Sequence, residues 1–506
     1  MATARKTSYL GKVRLLLLLL VLGTPCVVAQ EGKSKLRTWT SSIGTKIEAE
    51  LVSTAGEQVT LKTKAGKTLQ VPLNKLSKAD QEFIAAESSQ ADPAKRLKEP
   101  APLPPGEIDA IKKIGGRVKL DENNIWVGFV FPKEIATAEL EHLRDLTNIG
   151  GLDFSFTEFA DAGLEHLKGL ANLKNLDLCS TKITDAGLEH LKGLTNLKNL
   201  SLGDTKITDV GLVHLKGLTS LETLNLMGTK ITGAGLEYLK GLTKLKKLGL
   251  SRTKVTDEGL AHLKGLTQLS SLQLQSTKVT DAGLAHLKEL TKITYLVINR
   301  TKVTDAGLVH LKRMTRLEDL YPPPLGPGFT HLKGLSKLTL HLSAAQDATD
   351  TGLRHLKGLT KLAGLILNDT KAADAGLAHL KGLTQMTHLV ISRTKVTDAG
   401  LEHLKGLTNL ENLSLGDTKI TDVGLVHLKG LTKLKELWLR GNPITDAGLV
   451  HLKALTALEK LALSDTRITN TGLEHLKGMA KLEDLTYFNT KATSAGVQTL
   501  MQALPK

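Results

Sequence analysis

"TDAGLEHLKGLTNLKNLSLGDTKI", Thr184 to Ile207, is a 24-residue stretch whose apolar spacing changes halfway along. In its first part Leu188 and Leu191 stand three apart and share one face of a helical turn. In its second part Leu200 and Leu202 stand two apart, the spacing that points strand side chains to one face. Leu197 lies between them, and Thr205 closes the run. So few apolar side chains bury too little surface for one unit to fold alone, whereas stacked units share a continuous leucine core. The stretch therefore predicts an array of short helices and short strands, if the chain supplies neighbours.

It supplies them from about residue 107 to the end. The motif G-L-x-H-L returns with its histidine at His166, His190, His214, His262, His286 and His310, and Tyr238 fills the one gap at the same 24-residue step. The phase slips once, by three residues, between His310 and His331. It then runs through His355, His379, His403, His427, His451 and His475 to a divergent last copy at Thr499, and His142 opens the series. The copies beginning at Thr181 and Thr394 differ over 39 residues only at Ile183/Val396 and Lys198/Glu411. Duplication of a multi-repeat block explains that identity without any catalytic demand.

The pattern L-x-x-L-x-L-x-x-T resembles the signature of the leucine-rich repeat family, with threonine mostly at the ninth position and Asn442 restoring asparagine there. The "ITDxGL" step is most similar to the cysteine-containing subclass of F-box proteins and bacterial exported repeats. The resemblance implies an α/β solenoid: a parallel sheet on the concave side, short helices on the convex side, and capping first and last units around "NNIWVGFVF" (Asn123 to Phe131) and "SAGVQTLMQAL". About fifteen strands at roughly 4.8 Å spacing give an arc on the order of 70 Å, a surface suited to a protein or long polymer.

The segments before the array differ in kind. Arg5, Lys6, Lys12 and Arg14 precede "LLLLLLVLG" and the small-residue exit "VVAQ", the layout of a secretory signal peptide over residues 1–30, with cleavage near Ala29. Cys26 follows Pro25, a poor context for a lipid anchor. The mature chain is then exported, with Cys179 as its one cysteine, no internal disulfide, and a formal net charge reduced from +16 to +12. Residues 36–86 alternate apolar and polar in short runs ("KIEAELV", "QVTLKT", "TLQVPL") between turns, reading as a small all-β barrel. From "RTWTSSIGTKIEAELV" to "VPLNKLSKAD" this segment resembles the SLA1 homology domain 1 family, which is SH3-like. The resemblance implies an adaptor for short peptides; Trp39 is either a ligand platform or a core residue. Residues 87–106 read as a proline-rich linker. Barrel, linker and 24-residue repeat together look like exported proteins of planctomycete-type bacteria.

Ladders of like residues invite a chemical reading. By helical spacing the histidine row faces solvent as spacers, and nothing singles out one rung as a metal site. Asp185, Asp209, Asp281, Asp305, Asp398, Asp422 and Asp446 directly precede helices and read as caps; Thr205 and its equivalents read as an interior backbone-bonding ladder. Cys179 reads as a free surface thiol. There is no phosphate loop, H-E-x-x-H, paired C-x-x-C or G-x-S-x-G, so no catalytic residue, metal or cofactor is expected. Lysine rows (Lys168, Lys192, Lys216; Lys182, Lys206, Lys254) admit an anionic polymer, whereas the 3% aromatic content disfavours base stacking and specific nucleic-acid binding.

Two places on the sheet depart from the small polar average: Lys247, Arg252, Gln273, Tyr295, Asn299 and Arg300, and then His388, Arg393, Glu436, Trp438 and Arg440. Arginine with aromatics is a usual interface composition. Between them lies the shortened unit "YPPPLGPGFTHL", where Tyr321, Pro322, Pro323 and Pro324 are expected to form a projecting loop or a change of curvature. The expected function is an exported, non-enzymatic scaffold for a protein partner. The alternative is a structural envelope component binding itself or anionic polymers. A ubiquitin-ligase-like substrate receptor is disfavoured by the signal segment and the lack of an F-box.

Overall fold

The computed structural model describes residues 37–40, 46–55, 58–63, 68–78, 80–81, 117–120, 126–131, 140–141, 143–144, 149–343 and 348–504. The expected signal segment, the linker and His142 lie outside the described residues. The chain divides into two compact units, residues 1–99 and 100–506.

In the first unit, β1 (Arg37–Thr40), β2 (Lys46–Ala55), β3 (Gln58–Thr63) and β4 (Thr68–Pro72) pair antiparallel in that order as a four-stranded sheet; the three alternating runs correspond to β2, β3 and β4. A bulge between Leu51 and Ser53 bends β2. Ala49, Val59, Leu61 and Leu76 are buried. Beyond β4, the Ser77 hydroxyl accepts from the Asp80 N–H at 3.2 Å and donates to the Asp80 carboxylate at 2.9 Å, closing a capping turn.

The second unit opens with the antiparallel hairpin β5 (Arg117–Leu120) and β6 (Trp126–Val130), and β6 pairs parallel with β7 (Gly151–Asp153). From β7 to Asp484–Thr486 the described residues form fifteen parallel three-residue strands, with the central leucines in register from Leu152 and Leu176 through to Leu461 and Leu485. Those leucines point into the core, so the residues on either side of each face the opposite surface of the sheet. Behind the strands, most repeats carry one four-residue α-turn continued by a 3-10 turn, as in Asp185–Leu188 and Glu189–Leu191. Leu188, Leu191, Leu194, Leu197, Leu200 and Leu202 are all buried in one core shared along the array. Its first end is plugged by Phe131, Phe154 and Phe159, stacked at 4.4 and 4.0 Å; its last is covered by the helix Ser494–Ala503 through Leu500.

Neighbouring repeats are bonded through their polar ladders, and here three expectations need correction. Asp185 is the first residue of its turn rather than the cap. Thr184 occupies the cap position, and the Asp185 carboxylate accepts from the N–H and hydroxyl of Thr208 in the next repeat, at 2.8 and 2.5 Å. The same link joins Asp209 to Thr232, Asp281 to Thr304, Asp398 to Thr421, Asp422 to Thr445 and Asp446 to Thr469. It also accounts for the glycine two residues on, because a Cβ at Gly187 or Gly211 would overlap the preceding repeat's aspartate carboxylate. Second, the histidines are mostly half-buried rather than solvent-facing, and Nδ1 of His166, His190, His214, His403, His427 and His451 is enclosed with no hydrogen-bond partner. Third, Cys179 is free, as expected, but half-buried rather than at the open surface, and burial pushes its thiol up. Thr205 behaves as expected: it is buried and donates to the Leu202 carbonyl at 2.6 Å.

The shortened unit does not project. Pro322 and Pro323 are buried, with Pro322 standing where other repeats place the second strand leucine. Phe329 fills the helix-leucine position and is fully buried. The three missing residues come from the turn between strand and helix, which here becomes the 3-10 turn Pro327–Leu332. The next strand, Thr339–His341, pairs through only two residues with Asp319–Tyr321, so the 24-residue register is lost and regained across this step.

Candidate functional site

Of the two expected clusters, Lys247, Gln273, Tyr295, His388, Glu436 and Trp438 lie on the strands, whereas Arg252, Asn299, Arg300, Arg393 and Arg440 lie in the turns that follow them, and most of the charges are engaged within the array. In the first, Lys247 and Tyr295 flank Ser271 in one row across three strands, with Gln273 beside Val297 in the parallel row. Arg252 binds both oxygens of Asp204 at 3.0 and 2.8 Å, two repeats away. It reaches past Gly228, whose φ of 71° and missing side chain leave that turn open, since a Cβ there would meet the Asp204 carboxylate. Arg300 occupies the equivalent left-handed turn position, is exposed, and makes no ion pair among the described residues.

In the second cluster, Arg393 donates to both oxygens of Asp369 at 2.5 and 2.6 Å, and that bond holds the Asp369 carboxyl below its ordinary value. Arg440 pairs with Asp465 at 2.8 Å, and Glu436 with Lys460 at 2.9 Å. His388 is exposed, with Nδ1 2.7 Å from the Thr387 hydroxyl. Trp438 lies between Ser414 and Ala462, half-buried and flanked by small residues.

The most organised feature was only half expected. Tyr295, Asp319, Tyr321 and His341 come together at the shortened unit. The Tyr321 and His341 rings stack at 4.2 Å, Tyr295 tilts against Tyr321 at 5.6 Å, and His341 Nε2 lies 2.6 Å from the Asp319 carboxylate. Burial raises both phenols above their ordinary value. His341 was missed because the phase slip removes it from the row in which a 24-residue step would look; Asp319 stands in that row beside Tyr295, and nothing in the spacing singled it out. The signal was present: "TLHLS" carries a histidine outside the G-L-x-H-L series.

Asn299 has a related origin. In the equivalent turn the Asn368 side-chain oxygen accepts from the Ser392 N–H at 3.0 Å. The matching residue after Asn299 is Pro323, which has no N–H, and the Asn299 oxygen is enclosed without a partner.

Residues 171–231 match the leucine rich repeat family, residues 408–453 match leucine rich repeats in two copies, and residues 29–91 match SLA1 homology domain 1. The chain therefore carries leucine-rich repeats folded as a solenoid, preceded by an SLA1 homology domain 1, and that fold supports protein–protein interaction scaffolds in general. Among solved structures it is similar to an internalin from Listeria monocytogenes (26% identity, 70% of this chain and 90% of that one, TM-score 0.41). A leucine-rich-repeat protein of Leptospira interrogans is 19% identical over 74% of this chain and 98% of its own, at TM-score 0.44. The receptor in a TLR13–ssRNA13 complex is 18% identical over 76% of this chain and 70% of its own, at TM-score 0.43. No curated protein matches the chain.

Proposed function

We propose that this is an exported, non-enzymatic interaction scaffold that binds a protein partner on the solvent face of its repeat sheet. The observation that carries this reading is the composition of that face. Fifteen aligned strands present two side chains each; Tyr295, Tyr321 and Trp438 stand among them and the unpaired Arg300 in the turn after one, while Tyr238 is on the helix side. Aromatic and arginine side chains on a preformed surface are the usual anchors of an interface. Affinity capture from the native envelope, with wild type beside an Arg300→Ala/Trp438→Ala variant at low and moderate salt, tests it. A discrete protein retained by wild type at moderate salt and lost by the variant supports the scaffold; equal, diffuse capture by both sinks it.

A second reading rests on a different observation. Lys206, Lys230, Lys254, Lys278 and Lys302 form an exposed row at the repeat step, and none has an ion pair among the described residues. Such a row attracts anionic polymers through counterion release. Envelope binding of this kind would fall steeply with salt and ignore Arg300 and Trp438.

A further inference from the structure

Resting on that scaffold reading, we infer that the cluster Tyr295, Asp319, Tyr321 and His341 is a recognition site for a cationic side chain, lysine or arginine, in a basic segment of the protein partner. The chain as a whole is strongly basic, with formal net charge +16. Yet the five strands Ser271–Gln273, Tyr295–Val297, Asp319–Tyr321, Thr339–His341 and Gly364–Ile366 contain one charged side chain apart from His341, the carboxylate of Asp319. Glu318, next to it in sequence, is exposed. On these strands the sign is thus opposite to that of the chain, with Lys247 on the adjoining strand and the exposed Arg300 in the turn after Tyr295–Val297 as the neighbouring cations.

The carboxylate is also preorganised. The His341 side chain is 6% exposed and lies 2.6 Å from one Asp319 oxygen, while 38% of the Asp319 side chain remains accessible to solvent. His341 is itself fixed by the stack with Tyr321, and Tyr321 by Tyr295. A carboxylate held in one orientation and framed by phenol rings suits an ammonium or guanidinium group, which gains a charge-assisted bond and a favourable aromatic neighbour without ordering the site. Ile366 and Val390 continue the same row of the sheet and offer apolar contact to the residues beside that cation. Glu436, on a later strand of the same face, is by contrast neutralised by Lys460. A nucleic acid would meet the wrong sign of charge here.

The test uses the full chain and a fluorescently labelled hexa-arginine peptide, with hexa-glutamate as the opposite probe. Saturable one-to-one binding of hexa-arginine is expected. Asp319→Asn, which keeps an oxygen near His341, should weaken it about tenfold, and Tyr295→Ala several-fold. Glu258→Gln, the same charge change on the helix side, should leave it unaltered. Equal weakening by Asp319→Asn and Glu258→Gln, or tighter binding of hexa-glutamate with no saturable hexa-arginine binding, overturns the assignment. Should hexa-arginine binding fail while partner capture still depends on Trp438, the cluster assignment falls and the scaffold stands. Should capture fail as well, both fall.

Discussion

Asp185 and Thr208 lie 23 residues apart and meet through two hydrogen bonds, so a side chain that looks like a local cap is a bolt between repeats. Asp185→Ala would leave the Thr208 N–H and hydroxyl without their acceptor and should cost about 1–3 kcal/mol in urea unfolding. Substitution of neighbouring Glu189, which is exposed and paired only with Lys192, should change little. Lys198 and Glu411, one of the two differences between the duplicated blocks, make a related point. Lys198 and Lys246 flank and pair with Glu222, whereas in the second block Glu411 pairs with Lys435. The charge has been reversed together with its partner. These carboxylates also set an acid limit. Asp369 is held below its ordinary value by Arg393, and Glu222 by Lys246. A depressed folded-state value contributes stability above the unfolded-chain value, near pH 4, that is lost as pH falls through the folded one. Stability should therefore decline below about pH 4, and Arg393→Ala should remove the Asp369 share of that decline; an unchanged acid profile would contradict the pairing.

At the scale of elements, the shortened unit shows what a repeat can lose. Its core positions are refilled by Pro322 and Phe329, so the leucine core remains continuous. The loss falls on hydrogen bonding, where Pro323 deprives Asn299 of the donor that Asn368 finds in Ser392. Asn299→Ala should consequently be neutral or slightly stabilising, and Asn368→Ala should cost roughly 1 kcal/mol, a contrast that thermal unfolding of the two variants can read. The ends obey a different rule, since a solenoid's terminal repeats have no neighbour to cover them. Leu500→Ala opens the cap over the last strands and should cost on the order of 2–4 kcal/mol locally. Hydrogen exchange should speed up in residues 460–503 while the repeats around Leu200 keep their protection; uniform acceleration along the array would refute a local capping role.

Across the repeat unit as a whole, uniformity and variation fall on opposite faces of the sheet. The core is uniform because every repeat must match its neighbours, with Leu at nearly every buried strand centre. The sheet's outer face carries no such restraint, and variation collects there. This separation permits an acidic, aromatic stretch to interrupt a basic chain without disturbing the stack. It also sets a salt criterion at this scale: protein capture through the sheet face should persist from low to moderate salt, while binding through the lysine row should fall by orders of magnitude over the same range. Diffuse capture that vanishes with salt and ignores the sheet-face variants would favour the polymer-binding reading.

Residue spacing alone determined the array, its 24-residue step, the inward leucines, the buried threonines and the point where the phase slips, because packing against identical neighbours imposes a period that each unit must display. The strands Lys46–Ala55, Gln58–Thr63 and Thr68–Pro72 were equally legible from their alternation, whereas Arg37–Thr40 was not. Tertiary structure decided what each polar side chain does. Asp185 serves the next repeat, Arg252 spans two repeats to Asp204, and the histidines are partly enclosed, since a partner 23 or 48 residues away has no local sign in the chain. It alone brought His341 to Asp319 and Tyr321, because losing three residues in one turn and then recovering the register moves a side chain into a row that a constant step cannot foresee.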